Sequence, residues 1–254
     1  MNTRTLIVCI LFLTLLPLHR AHARCEELPS SENFKVSQTL FYSERPPSPP
    51  NEAAPIVIGL HGLGHHSLGF STLGESLPKE WRVFWVQAPL SYRSGFAWYR
   101  FRCPEAEDDL KRSTDALIKL AKILQAKYPR APKPLIFGFS QGGVMTLSAL
   151  NKAPELWGAG VSFSGYWLSK ETPRKQERAK LPPLLIIHGT QDIVVKYQRG
   201  ESAARLFTEA GYPVAWLDFA GGHRVNQEGL NALITHFQTG ARLRSIEDST
   251  LFKK

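Results

Sequence analysis

Short apolar runs alternate with longer amphipathic stretches along most of this 254-residue chain. The runs fall at 56–60, 83–86, 135–139, 159–163, 184–187 and 214–219. Between them, helical spacing of apolar positions predicts helices at 70–77, 105–127, 142–151, 197–210 and 224–237. Runs that are apolar on both faces belong inside a parallel sheet covered by helices. Their alternation with helices predicts an α/β architecture with right-handed crossovers. The stretch 105–127 is the clearest helix. It follows Pro104 and opens with Glu105, Glu107, Asp108 and Asp109, which suit the positive end of a helix dipole. Leu110, Leu117, Leu120, Ala121 and Leu124 then recur at helical spacing.

Upstream, residues 34–43 read as a strand, and the Pro-rich residues 44–54 as a loop or linker. Residues 24–52 therefore form an N-terminal strand and Pro-rich arm, 53–240 one α/β domain, and 241–254 a polar tail. Neither a repeat nor a second domain is expected.

The first 23 residues depart from this pattern. A positive start ending at Arg4 precedes a mostly apolar run, 6–18, and then Ala21-His22-Ala23. That order predicts a signal peptide cleaved after Ala23, hence a periplasmic or secreted protein. No internal stretch has the roughly 20 apolar residues of a membrane span. The formal charge of +9 drops to +7 without Arg4 and Arg20. The remaining positive charge is scattered, without the basic and aromatic clustering of nucleic-acid binders, and the densest cluster, 170–180, is interrupted by acids. After cleavage two cysteines remain, Cys25 and Cys103. In an oxidising compartment they are expected to form one disulfide.

Gly138-Phe139-Ser140-Gln141-Gly142 lies between a predicted strand and a predicted helix. Gly-x-Ser-x-Gly in that setting makes a sharp turn that pushes the serine hydroxyl out of the backbone surface. A serine hydroxyl is a poor nucleophile at neutral pH, so it needs a base, and the base needs an orienting acid. Asp192 follows the run at 184–187, and His223 follows the run at 214–219. Ser140, Asp192 and His223 thus stand in the order Ser-Asp-His, each just past a strand. Other candidates fit less well. Asp218 lies inside a strand, Asp108 and Asp109 have a capping position, His188 sits on the strand side of its turn, and His236 belongs to an amphipathic helix. Donors for an oxyanion are expected from the backbone N–H of Gln141 and from Leu63, within His61-Gly62-Leu63-Gly64.

Aromatic residues concentrate at 90–101. Tyr92, Phe96, Trp98, Tyr99 and Phe101 are candidates for the wall of an acyl pocket, with Tyr92, Phe96 and Trp98 singled out for substrate binding and packing of a long loop against the sheet as the alternative. His61, His65, His66 and His223 do not form a ligand set, because adjacent histidines cannot easily share one ion and no Glu or Cys lies at ligand spacing. No metal or other cofactor is expected.

The segments Leu60-His61-Gly62-Leu63-Gly64, Gly138-Phe139-Ser140-Gln141-Gly142-Gly143, His188-Gly189-Thr190-Gln191-Asp192 and Gly222-His223 together resemble the phospholipase/carboxylesterase family. The resemblance covers roughly residues 53–240. It implies an α/β-hydrolase fold, with a mostly parallel central sheet flanked by helices and no large lid domain. By the same resemblance the substrates are carboxylic esters, lysophospholipids or thioesters, cleaved by Ser140, Asp192 and His223 with Leu63 and Gln141 at the oxyanion hole. Members often carry an acid after the His-Gly-Leu-Gly segment, where this chain has His65 and His66. A serine peptidase on the same fold and a non-catalytic secreted binding protein are the alternative readings. The partner expected in the esterase reading is a small ester or lipid, with neither nucleic acid nor stable membrane insertion expected.

Overall fold

The computed structural model describes residues 40–175, 177 and 181–239. Expectations for the signal peptide, for Cys25 and for the tail at 241–254 fall outside those residues. A seven-stranded sheet runs through the molecule in the order β1-β3-β2-β6-β7-β8-β9. Its strands are β1 (Tyr42–Arg45), β2 (Ile56–Leu60), β3 (Arg82–Val86), β6 (Leu135–Phe139), β7 (Ala159–Phe163), β8 (Leu184–Gly189) and β9 (Val214–Phe219). Only β1 runs antiparallel to its neighbour; the other pairs are parallel. The short hairpin β4 (Leu90–Tyr92) and β5 (Gly95–Ala97) stands apart from the sheet.

Side chains alternate between the two faces of the strands. Ile56, Ile58, Leu60, Ile136, Leu184 and Ile186 join one apolar cluster. It is closed by α2 (Ala106–Lys127), α3 (Gln141–Lys152) and α4 (Tyr197–Glu209), through Leu117, Leu124, Val144, Leu147 and Phe207. Val57, Val83, Phe137, Val161, Leu185 and Ile187 join the other. That face is covered by α1 (Ser67–Phe70) and α5 (Gln227–Thr239), through Phe70, Leu230 and Leu233. Core strands buried on both sides are why the sequence reads as continuous apolar runs.

Several boundaries differ from the sequence expectation. The helix expected at 70–77 is instead one turn of α1 followed by a 3₁₀ segment, Ser71–Ser76. Gly69 and Gly74 weaken helix in that stretch. Of the strand expected at 34–43 only residues 40–43 are described; the observed strand is Tyr42–Arg45, so the Pro-rich loop starts two residues later than expected. Glu44 pairs with Arg82 at 2.7 Å, and the Arg45 guanidinium donates to the carbonyls of Gly74 and Pro78, both at 2.6 Å. These contacts hold β1 on the sheet edge. The last helix begins at Gln227 rather than 224, because Asn226 Oδ1 accepts the Gly229 N–H at 3.0 Å and caps it there.

The chain leaves β2 toward β3 on one side and returns to β6 on the other side of β2. The C-terminal ends of β2 and β6 therefore flank a topological switch point, where open α/β sheets place their ligands. His61–Gly64 and Ser140 occur at those two strand ends. Among the described residues, no helix is long and apolar enough to cross a membrane.

Candidate active site

Ser140 occupies the turn between β6 and α3 with φ 55° and ψ −115°. A non-glycine residue at positive φ is sterically strained and persists only where its surroundings hold it. The hold here is visible. Ser140 N–H donates to the Phe163 carbonyl at 2.8 Å, and its own carbonyl accepts the Val144 N–H at 3.0 Å. The flanking glycines are required by space. A Cβ on Gly138 would stand 2.2 Å from the Gly142 carbonyl carbon and oxygen, and one on Gly142 would stand 2.2 Å from the Leu60 carbonyl oxygen. Strand, helix and the neighbouring strand thus meet backbone to backbone under the serine.

His223 follows β9, and Asp192 follows β8. The structure brings them together: His223 Nδ1–H donates to Asp192 Oδ2 at 2.6 Å. The other carboxylate oxygen, Oδ1, accepts the N–H groups of Val194 at 2.9 Å and Val195 at 2.8 Å. Burial alone would raise the Asp192 carboxyl. The hydrogen bonds from His223 and the two backbone amides reverse that and hold its pKa below the usual carboxylate value. Asp192 is therefore the anion that fixes the His223 ring with Nε2 free. Phe139 supports the same ring from the side, with centroids 4.6 Å apart.

His188 lies directly below and is fully buried. Its Nε2–H donates to the Val195 carbonyl at 2.8 Å and comes within 3.5 Å of Asp192 Oδ2. Burial lowers its pKa, so it is a neutral support. Asp218 is not near His223 in this role; it accepts the Tyr197 hydroxyl at 2.5 Å. Asp109 is more than a helix-start residue. It is 1% exposed, accepts Arg100 Nε–H at 2.7 Å, and also bonds Arg112.

Ser140 and His223 open into one cavity of about 740 Å³. Leu63 and Gln141 line it as well. Gln141 is the first residue of α3, so its N–H has no acceptor within the helix. The His61–Gly64 loop reaches Ser140, since a Cβ on Gly62 would lie 3.4 Å from Ser140 Cβ. His61 anchors that loop. Its Nε2 accepts the Ala88 N–H at 3.1 Å, which leaves Nδ1–H to donate to the Gly62 carbonyl at 2.8 Å. Burial pushes the His61 pKa down to about 4, consistent with a neutral ring. Among the described residues, no group of three His, Cys, Asp or Glu side chains is arranged to hold a metal ion.

The aromatic stretch reaches the cavity only in part, and not through the three residues singled out for substrate binding. Tyr92, Phe96 and Trp98 do not line the cavity; Tyr99 and Phe101 do. Trp98 is fully buried and donates its indole N–H to the His61 carbonyl at 2.9 Å. Phe96 pairs through its backbone with Gly64 and His65, both at 2.9 Å. These residues buttress the His61–His65 loop from behind, because the hairpin pairs with that loop instead of facing the serine. Further wall residues that the sequence reading missed are Phe70, Phe139, Tyr166 and Arg199. Phe139 had a local signal, its place beside Ser140; the others come from distant elements.

Comparison with known proteins follows the same outline. A model of the phospholipase/carboxylesterase family matches residues 46–240. The chain belongs to that family. A probable carboxylesterase of Oryza sativa subsp. japonica is 35% identical over 102 residues, which are 39% of this chain and 38% of the rice protein. The chain thus matches well under two thirds of that relative's length. An acyl-protein thioesterase 1 of Neurospora crassa is 30% identical over 205 residues, 70% of this chain and 83% of the other. Among solved structures, a Bacillus cereus carboxylesterase superposes with TM-score 0.70 at 17% identity, covering 83% of this chain and all of its own. Esterase PE8 gives TM-score 0.69 at 24% identity, covering 80% of this chain and all of its own. Both structural likenesses establish the α/β-hydrolase fold of this family member.

Proposed function

We propose that the protein is an exported serine esterase that cleaves carboxylic esters through an acyl-enzyme on Ser140. The observation that carries this reading is the 2.6 Å hydrogen bond to Asp192 from His223, a ring that shares one cavity with a strained, positive-φ Ser140. In the reaction His223 Nε2 takes the Ser140 hydroxyl proton while Oγ attacks the ester carbonyl. Asp192 holds the tautomer and stabilises the imidazolium. The N–H groups of Gln141 and Leu63 receive the negative charge on the carbonyl oxygen. The imidazolium gives its proton to the departing alcohol. Water, activated by His223, then attacks the acyl-enzyme and frees the acid and Ser140. A thioester would pass through the same steps with a thiol leaving, and the naming of relatives as acyl-protein thioesterases supports including that class.

The N-terminal pattern supports export with cleavage after Ala23. Cys25 and Cys103 are assigned to one disulfide, a reading supported by the disulfide-bonded state of Cys103. N-terminal sequencing of protein recovered outside the cytoplasm checks the first point. Thiol counting checks the second: two free thiols in the native mature protein would end the pairing.

The deciding experiment is hydrolysis of p-nitrophenyl esters from acetate to palmitate, with Ser140→Ala alongside. Turnover that disappears in the variant, with fluorophosphonate labelling of Ser140, is the expected result. No turnover of any ester and no labelling would sink the esterase reading and leave a binding protein.

A further inference from the structure

The cavity at Ser140 carries charge of one sign. Arg102, Arg199 and Arg224 line it, and among the described residues no Asp or Glu does. The three arginines arrive from separate places: the turn after the hairpin, the first turn of α4, and the position following His223. Among the described residues, none of the three pairs with a carboxylate. Elsewhere in the molecule, Arg82, Arg100 and Arg130 each meet an acid.

In place of carboxylates, these guanidiniums lie over aromatic rings. Arg199 sits 3.5 Å from the Tyr166 ring centroid, Arg102 5.0 Å from that of Phe101, and Arg224 5.9 Å from that of Phe219. A guanidinium stacked by its face keeps its edge N–H donors for another acceptor. Arg199 is the best placed of the three. Its platform, Tyr166, is 4% exposed, and the Tyr166 hydroxyl is hydrogen-bonded to that of Tyr99 at 3.0 Å.

Helix stability does not account for Arg199. It lies in the first turn of α4, after Lys196 at the N-cap, with no acid in that turn. A cation at that end opposes the helix dipole. Like charges gathered around one opening also repel each other. An anion would relieve both effects, and away from Ser140 and His223 the wall offers apolar side chains, including Phe70, Leu73 and Phe139.

We propose that this cavity selects esters whose acyl or alcohol part ends in a carboxylate or phosphate, and that Arg199, with Arg102 and Arg224, binds that anion. This rests on the reading of Ser140 as the ester-cleaving nucleophile. The substrate class is then amphiphilic: an apolar segment against the aromatic wall and an anionic end at the arginines.

Two matched pairs of esters test it on the purified protein. Mono-p-nitrophenyl glutarate against p-nitrophenyl valerate places a carboxylate on the acyl side. A 1-acylglycerol 3-phosphate against the corresponding monoacylglycerol places a phosphate on the alcohol side. At least one charged member is expected to exceed its neutral partner in kcat/KM by about tenfold or more, the scale of a hydrogen bond to a charged group. The pair that responds identifies the source of the anion. The charged-to-neutral ratio should fall in Arg199→Gln, fall in Arg224→Gln, and shrink in about 0.5 M salt. Arg130→Gln, which removes an equal charge from a site 75% exposed and paired with Glu52, should keep the ratio. Circular dichroism identifies any variant that has not folded, and the salt series on wild type still stands without it. Charged esters no better than neutral ones, or a preference that survives Arg199→Gln combined with Arg224→Gln, would overturn the anion site while leaving the esterase intact. Failure of every ester, neutral or charged, would take down both readings.

Discussion

Gln141 ties the Ser140 turn to Trp98. Its side-chain carbonyl accepts the Trp98 N–H at 2.9 Å, and its amide N–H donates to the Tyr99 carbonyl at 3.0 Å. In the proposed mechanism the residue has two tasks: a backbone N–H at the reacting carbonyl and a side chain that holds the buttress behind the His61–His65 loop. Gln141→Ala keeps the first and removes the second. It strands a buried donor and a buried acceptor, each costing about 1–3 kcal/mol. Urea unfolding should show a loss of several kcal/mol, and kcat should fall with it. Unchanged stability would mean that water or a shift of the loop replaces both bonds.

Asp192→Asn separates orientation from folding. Asparagine can still accept the Val194 and Val195 N–H groups through Oδ1. It would present an amide N–H, or a neutral carbonyl, to His223 and lose control of the tautomer. The expected drop in kcat is on the order of 10³- to 10⁴-fold, by analogy with serine hydrolases that lose this acid, with little change in melting temperature. Asp192→Ala should lower both, since the turn amides are then unsatisfied. A drop of less than tenfold in Asp192→Asn would remove Asp192 from the mechanism.

The sheet and the order of Ser140, Asp192 and His223 were legible in the sequence because each rests on local signals. Strands buried on both faces are short apolar runs, so β2, β6, β7 and β9 fall where the pattern puts them. The glycines around Ser140 announce a turn in which only glycine has room. The cavity wall was less legible. Tyr92, Phe96 and Trp98 are aromatic neighbours of Tyr99 and Phe101, and composition cannot tell which of them face the serine. That choice depends on the backbone pairing of Phe96 with Gly64 and His65, a contact between distant segments. Arg199 and Tyr166 meet only through tertiary packing, so no spacing in the sequence connects them.

Asp109 carries a stability prediction. Its buried carboxylate is bonded by the Arg100 backbone and side chain and by Arg112. Burial by itself would raise its pKa, but the Arg100 and Arg112 bonds keep it below the usual value. Asp109→Ala breaks a largely buried pair and leaves Arg100 without its main partner. A loss of roughly 2–3 kcal/mol is expected, below the full range for buried pairs because both arginines reach solvent. Asp109→Asn should recover part of it. Denaturant midpoints of the two variants decide the point.

Acid should weaken the fold through two buried histidines. Burial pushes His61 and His236 down to about 4 from 6.5. The unfolded chain therefore binds more protons than the folded one between those values. Stability is complete above about pH 6.5 and declines as pH falls toward 4, by up to about 3 kcal/mol for each ring. Melting temperatures measured from pH 7.5 to 4.5 should drop accordingly, and His236→Phe should flatten part of the slope. A melting temperature that stays level through that range would mean that neither ring excludes its proton.

At Gly142 the α3 helix meets the Leu60 carbonyl with no side chain on either side of the contact. A crowded core position can be rescued by trimming a neighbour, but here there is nothing to trim. A library of variants should find no second-site suppressor for Gly142→Ala, whereas the cavity rim can vary one residue at a time. The junction is consequently a fixed point for adaptation, and any change of substrate must be made in the loops that surround it.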